Sequence, residues 1–311
     1  MDALFTTAFL TVLLSGVVTA GVPLLLAGLG EQISEKAGVL NIGIEGMMLA
    51  GAYGGFAAAL ATGSLWLGFL AGALAGVAVA ALMAFFCIRH GMNQIVVGIA
   101  LTLGAQGLTG LLHHFAFART RPSLDTPPDF SIPFLSEVPV AGLGLFAHNP
   151  VAYLAIALVP LLAWLFRRTA MGLNLQAAGD KPGALDAAGV SVVATRTCAV
   201  LATGALTGLG GAYMAEVGAG LFVPFMTGGA GFIGIVLAML ARGRPVWVLH
   251  GALLFGVSLA LTTALQVGGF NIPTDVVQML PFFMVMLVLV IFARHSVLPP
   301  ALGLSYVRGE R

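Results

Sequence analysis

LFTTAFLTVLLSGVVTAGVPLLL, residues 4–26, decides the fold: no Asp, Glu, Lys or Arg interrupts it. About 20 apolar residues rising 1.5 Å each cross the ~30 Å hydrocarbon core of a bilayer. This stretch is long enough to span. The rest of the chain repeats the message. Of 311 residues 59% are hydrophobic and 8% charged, against roughly 25% charged in ordinary soluble domains, and the mean hydropathy is +1.04. Thirteen basic and twelve acidic side chains cannot clothe a soluble globule of this size. A soluble enzyme, a secreted disulfide scaffold and a disordered tail are excluded, which leaves a polytopic membrane protein of all-α class.

Outward from residues 4–26, apolar runs between polar or Pro/Gly-rich breaks give eight more spans: 37–61, 65–88, 94–118, 151–167, 196–217, 232–243, 246–266 and 273–293. The seventh of the nine is short and the second carries polar residues, so neither need be an unbroken helix. No Lys or Arg precedes Lys36, so a signal peptide's positive n-region is missing and the first run is expected in the mature chain. Net charge is +1, which offers no basic patch for nucleic acid. Cys87 and Cys198 lie far apart in apolar runs and read as small buried hydrophobes, not as a disulfide or metal site.

The basic residues orient the chain. With 168–195 on the cytoplasmic side, alternation also places 27–36, 89–93, 242–245 and the C-terminal tail there. That side then holds Lys36, Arg89, Arg167, Arg168, Lys181, Arg196, Arg242, Arg244, Arg294, Arg308 and Arg311, leaving only Arg119 and Arg121 outside. Eleven against two fits the positive-inside rule for an odd number of spans with the N-terminus out. The long outer segment 119–150, with Asp125, Asp129 and Glu137, is too small for a receptor domain and suits a short interfacial helix or a docking lip.

IGIEGMMLA at 42–50 and IGIVLAMLA at 233–241 agree at six of nine positions, at an offset of 191. The offset lays the first span on the sixth, five crossings later, so units near 4–118 and 196–293 would run through the membrane in opposite directions. Inverted repeats of this kind mark transporters, with the path near their midplane interface. Two Gly/Ala/Ile-rich helices could also agree by chance.

Charge in hydrocarbon costs at least about 2.5 kcal/mol, so each polar residue in a span needs a reason. Glu45 is the sharpest: eight residues of helix from Ala37 would lift it about 12 Å, near mid-bilayer. Asn41 lies one turn below, and Gly38, Gly43 and Gly46 permit close approach or a broken helix. Glu45 and Asn41 therefore read either as a polar lining of a solute path or as interhelical hydrogen bonds that hold the bundle. Asn93 and Gln94 open the fourth span, as path residues or as a plain helix start. Gln106, His113, His114, Glu216, Gln266, Asp275 and Gln278 are further polar residues in or beside spans. His113 and His114 are adjacent and make a poor metal pair, and Asp275 suits a first-turn carboxylate. Gly68, Gly72 and Gly76, like Gly204 and Gly208, form small faces for tight packing in lipid.

In the inside loop 168–195, Asp180 as cap, Pro182 in a first turn and Gly189 as terminator predict a helix near 181–188. Two lysines, Lys36 and Lys181, close no GxxxxGK[ST] sequence, and no HExxH or GxSxG occurs. The chain carries no P-loop, metalloprotease or lipase signature of its own.

GVLNIGIEGMM (38–48), TAMGLNLQAAGDKPGALDAAGVSV (169–192) and GGAGFIGIVLAMLARGRPVWVLHGALLFG (228–256) resemble the permease subunit of bacterial ABC importers of the branched-chain amino acid, ribose and nucleoside group. The resemblance runs over roughly residues 20–293. Its first motif, with Glu45 and the Met pair, is most similar to the purine nucleoside and guanosine branch. Sugar-importing relatives tend to an Asp-Leu-Ser type sequence where this chain has Asn41 to Glu45, which disfavours ribose.

The resemblance implies a type II ABC importer fold with an inverted internal repeat, and a transport subunit, not an enzyme. It implies a translocation path touching Asn41, Glu45, Asn93 and Gln94. Coupling to an ATPase would run through Gly172, Gly179, Asp180, Lys181, Pro182, Ala184, Asp186 and Gly189. Implied partners are an ATP-binding subunit with two nucleotide-binding modules, which alone would hold ATP-Mg, and a second homologous permease. A substrate-binding lipoprotein or periplasmic protein would deliver the ligand, and the setting is the bacterial inner membrane. Within the same group the alternative is an ABC permease for an amino acid or for a sugar other than ribose; the readings from other classes are an ion-driven secondary transporter acting through Glu45, and a membrane scaffold.

Overall fold

The computed structural model describes residues 7–117, 141–267 and 298–306, with positions 120, 122–125, 130–131, 136, 138, 279, 283–284, 286–287 and 290 between them. The ninth expected span, 273–293, lies largely outside the described residues, as do Gln266's side chain, Asp275 and Gln278. Among the described residues, seven helices are long and apolar enough to cross a membrane, and Ala230–Ala241 is a shorter apolar helix.

The helices are α1 (Thr7–Lys36), α2 (Ile44–Thr62), α3 (Leu65–Met83), α4 (Gln94–Phe117), α5 (Ala141–Phe146), α6 (Pro150–Arg168), α7 (Ala170–Asp180), α8 (Pro182–Ala187), α9 (Val192–Tyr213), α10 (Ala230–Ala241) and α11 (Pro245–Val267). A π-helical turn extends α3 over Ala84–Arg89 and another extends α9 over Met214–Ala219. In the outer segment, β1 (Phe130–Ser131) pairs antiparallel with β2 (Ala147–His148), and six-residue α5 packs on α1, Gly144 against Leu14.

The first span does not stop at residue 26. Residues 27–36, expected as a cytoplasmic loop, continue α1. Their Leu, Glu, Gln and Lys are good helix formers and no proline follows Pro23. Other helices cover the polar side chains: Glu31, Gln32 and Ser34 are at most 1% exposed. The second span correspondingly starts at Ile44 and not at Ala37, because Gly38 takes a left-handed φ of +83° that breaks the helix.

Glycine brings the helices together. Gly76 of α3 lies against Gly204 and Gly208 of α9, Gly72 against Ala212, and Gly51 of α2 against Gly208. The two small-residue stripes of the third and sixth spans thus pack on each other. Lipid offers no hydrophobic drive between helices, so backbone approach and dispersion contacts carry the packing. Large apolar side chains such as Trp66, Leu74, Leu103, Phe115 and Trp164 point outward. Cys87 is buried, whereas Cys198 lies exposed on α9; the expectation of burial fails for it because its side of α9 faces out.

The contacts also fix directions. Gly30 of α1 meets Thr203 of α9 while Gly210 meets Pro23, so these two helices run antiparallel. Gly51 pairs with Gly208 and Gly55 with Ala212, so α2 runs with α9. Ala27 meets Gly234, and Gly28 meets Leu237, so α10 runs with α1. Each of α1 and α9 packs on the helices that follow the other, α1 on α10 and α11, α9 on α2 and α3. The helices α2 and α10 start at Ile44 and Ala230, 186 positions apart. The nine-residue match at offset 191 instead lays Ile42 of a turn on Ile233 inside α10.

Candidate functional site

Because α2 and α10 run oppositely, their first turns meet, and Gly231 lies against the backbone of Glu45. The helix α10 has twelve residues, about 18 Å at 1.5 Å each, so its start lies deep in the bundle. It is a half-span entered through an irregular segment, 220–229, whose Phe225, Gly228 and Gly229 take positive φ. Gly43 and Gly229, the residues before the two helices, supply no side-chain cap. Two positive helix ends therefore converge without a donor-satisfying group of their own.

Glu45 supplies it. Its Oε1 accepts from the Thr227 hydroxyl at 2.6 Å and the Gly229 amide at 2.9 Å, and its Oε2 from the Gly231 amide at 2.7 Å. The side chain is 2% exposed. An anion held by two backbone amides and a hydroxyl at a helix start is a charge-assisted arrangement that low polarity strengthens. Thr227 is the residue that sequence reasoning missed; its position before Gly228, Gly229 and an apolar run is the available signal.

Thr227 also lines a cavity of about 770 Å³ between α1, the end of α9, the 220–229 segment, α10 and α11. Ser15, Thr19 and Thr262 contribute hydroxyls, with Met214, Met226 and Ile233 among the apolar wall. No ionisable side chain belongs to the described lining.

The other path candidates stand apart from this cavity. Asn41 is fully buried; its amide nitrogen contacts Met47 Sδ at 3.4 Å, and its backbone N–H donates to Glu31 Oε1 at 3.1 Å. The Gln94 side chain accepts from the Leu40 amide at 2.8 Å, fixing the turn before α2. Asn93 is exposed and its Oδ1 accepts from the Ile95 and Val96 amides at 2.9 and 3.1 Å, an ordinary helix cap for α4. Glu216, on the π-helical turn after α9, is fully buried against Gly55 and Gly68, and neither carboxylate oxygen has a partner among the described residues. No group of three metal-ligating side chains occurs among the described residues.

Lys36 lies over the Phe166 ring and beside Gly243, Arg196 reaches Ala37, and Cys87, Gln94 and Arg196 line one pocket. The ends of α1, α6, α10 and the π-helical turn after α3 therefore gather with the starts of α4, α9 and α11 at one end of the bundle. Lys36, Arg89, Arg167, Arg168, Lys181, Arg196, Arg242 and Arg244 are all there. At this basic end, residues 169–191 form two helices where one was expected. Thr169 caps α7, accepting from the Gly172 amide at 3.2 Å, and Gly172 packs tightly on Leu165 and Phe166. Asp180 does not cap the following helix: it closes α7, accepting from Gln176 Nε2 at 3.2 Å. Lys181 is the extended residue before α8 and brings no side-chain cap; Pro182 begins the helix. The Ala184 carbonyl accepts from Ala188, the Gly189 amide donates to Asp186 O at 2.9 Å, and Gly189 ends the helix at φ +84°. Leu185 of α8 is buried with Ala178 and Val192, and Tyr306 packs on them.

Arg196, read from sequence only as a charge, is 3% exposed. Its Nε donates to Ala37 O at 3.1 Å, Nη2 to Ala178 O at 3.1 Å and Nη1 to Leu304 O at 2.7 Å. Gly179 abuts Lys36 and Gly38 without a side chain between them. The Ala301 amide donates to Gly179 O at 2.9 Å and the Gly303 amide to Gly38 O at 3.1 Å.

The chain is similar to known proteins. Residues 13–289 match the family described as branched-chain amino acid transport system / permease component. TsgC13 of Haloferax volcanii, named as a glucose ABC transporter permease, is 41% identical over 82% of this chain and 78% of its own. The nucleoside ABC transporter permease NupC of Lactococcus lactis is 30% identical over 97% of this chain and 98% of its own. A solved metal-chelate type ABC transporter in an inward-facing conformation superposes with a TM-score of 0.50 over 91% of this chain and 88% of that one, at 18% identity.

Proposed function

The chain belongs to the branched-chain amino acid transport system / permease component family, and from that premise we propose that it forms half of an importer's solute path and carries a neutral nucleoside. A second homologous permease completes the path, a separate subunit with two nucleotide-binding modules supplies ATP hydrolysis, and an extracytoplasmic receptor delivers the ligand. The basic end faces the cytoplasm, as the positive-inside rule directs, and the N-terminus lies outside. There α8 docks on the ATPase.

One observation carries the cargo class: the cavity is lined by hydroxyls and apolar groups, and the positive helix end beside it is already occupied by Glu45. Half-helix N-termini in transporters ordinarily attract anionic groups of the substrate. Here an internal carboxylate takes that place, so a phosphate or carboxylate on the solute finds no counter-charge among the described residues of the lining. A ribose offers hydroxyls to Ser15, Thr19 and Thr227, and a base offers a flat face to the Met and Ile wall. Glu45 acts on the path from behind, by holding Thr227 in place. NupC, similar over nearly the whole chain, is named for nucleosides.

A sugar is the second reading, favoured by the 41% identity to a permease named for glucose. Uptake of labelled nucleoside into vesicles bearing the whole importer, challenged with excess unlabelled nucleoside, nucleoside 5′-phosphate or glucose, separates them. Competition by nucleoside alone is the expected result. Competition by glucose overturns the cargo in favour of the second reading, and competition by the phosphate overturns the neutral-path argument.

A further inference from the structure

We infer that Arg196 is a positioning residue for coupling: it fastens the end of α7, on which Leu185 of α8 packs, to the end of α1 and the 301–304 segment, so that movement of α8 against the ATPase reaches the cavity wall through α7 and α1. The inference rests on the importer reading above and adds the transmission route within this chain.

The short helix α8 cannot be stiff by itself. It has six residues and no side-chain cap, and isolated helices of that length are unstable in water. Its rigidity must come from what holds it. Leu185, Ala178, Val192 and Tyr306 give it a small apolar base, and the base is tied to the membrane helices through Arg196.

The guanidinium suits the task. It presents donors in a planar fork and stays charged, and three of its nitrogens bind carbonyls from three separate segments: Ala37, just past α1, Ala178 in the last turn of α7, and Leu304. Two of these carbonyls belong to helix C-terminal ends, where partial negative charge accumulates. No carboxylate contact is needed to hold the cation. Lysine's single ammonium could not reach all three directions.

Backbone contacts make the joint tight. Gly38 at φ +83° lies against Gly179; a Cβ on Gly38 would stand 2.9 Å from Arg196 Nη2 and 3.0 Å from Gly179 Cα. The 301–304 segment bridges both sides, donating from Ala301 to Gly179 and from Gly303 to Gly38. The helix α1 runs from this joint to the cavity, where Ser15, Thr19 and Pro23 form part of the wall. The span from Lys36 to Ser15 is about 32 Å of helix, with Pro23 as its one interior proline, and it carries movement at the joint to the wall.

The test uses the reconstituted importer, with this chain, its second permease, ATPase and receptor, and reads solute molecules taken up per ATP hydrolysed. Arg196→Ala removes all three charge-assisted hydrogen bonds, and that ratio is expected to fall by about tenfold or more; Arg196→Lys is expected to recover part of it. Thr203→Val is the control: it removes a buried bond to Gly30 O on the same α9–α1 crossing, and is expected to lower thermal stability while leaving the ratio unchanged. Should Arg196→Ala fail to assemble, removal of residues 301–311 takes away Leu304 O and Tyr306 without hollowing the bundle, and the same fall is expected. A wild-type ratio in Arg196→Ala, or in the truncated chain, overturns the inference; so does a fall of equal size in Thr203→Val, which would make the effect one of stability alone. Absence of ATP-dependent uptake in the unaltered complex would instead contradict the importer reading on which it rests.

Discussion

Glu45 and Glu216 are both buried carboxylates in the helical bundle, and their surroundings give them opposite roles. Glu45 receives three donors; Glu216 receives none among the described residues. Replacing Glu45 by Gln puts an amide N–H against a backbone donor and leaves one buried N–H without an acceptor, a loss of about 1–3 kcal/mol. Glu45→Gln is expected to lower the thermal unfolding temperature of the purified chain and to slow uptake. Glu216→Gln removes an unpartnered acid and creates no new conflict of charge, so unfolding at or above the wild-type temperature is expected. Equal losses in the two variants would show that burial, and not the donors, governs both positions. Glu45 was legible in the sequence because a carboxylate in an apolar run is costly. Its partner Thr227 was not, being 182 residues away, and neither was Arg196, whose carbonyl partners leave no residue-type signature.

At the scale of elements, hydropathy located the spans closely wherever their edges meet water: 65–88 was read and Leu65–Arg89 observed, 94–118 read and Gln94–Phe117 observed. It erred at α1, because Glu31, Gln32 and Glu35 are polar yet covered by neighbouring helices, and a linear scan cannot see cover. The glycine stripes show the same division. Sequence says that a face is small; only packing says against what. A Cβ on Gly211 would run into the Met48 carbonyl of α2, whereas one on Gly104 of α4 meets nothing within 4 Å. Gly211→Ala is therefore expected to abolish a monodisperse peak in detergent gel filtration, or to cost several kcal/mol as overpacking against backbone does. Gly104→Ala should leave the chain folded and raise its own stability by about 0.5–1 kcal/mol, the gain of alanine over glycine inside a helix. A well-behaved Gly211→Ala chain would contradict the α2–α9 packing described here.

For the whole molecule, crossed packing of α1 and α9 onto each other's following helices places two helix starts and one carboxylate together at depth, beside a cavity whose described lining carries no ionisable side chain. The opposite end carries α8 and its fastening. That the chain is a multi-pass helical membrane permease was readable from its sparse charge, its apolar runs and the motifs at 38–48, 169–192 and 228–256. The start of α2 was not, since Gly38 breaks the chain's helical path and α2 begins seven residues after the start of its apolar run. The sequence carries no P-loop, and the importer proposed above takes its energy from a partner subunit. Solute accumulation by sealed vesicles tests that most directly, comparing this chain alone under imposed proton or sodium gradients with the complete assembly supplied with ATP inside the compartment that faces α8. Accumulation only in the assembly, and only with hydrolysable ATP, is the predicted result. Gradient-driven accumulation by the single chain would contradict it.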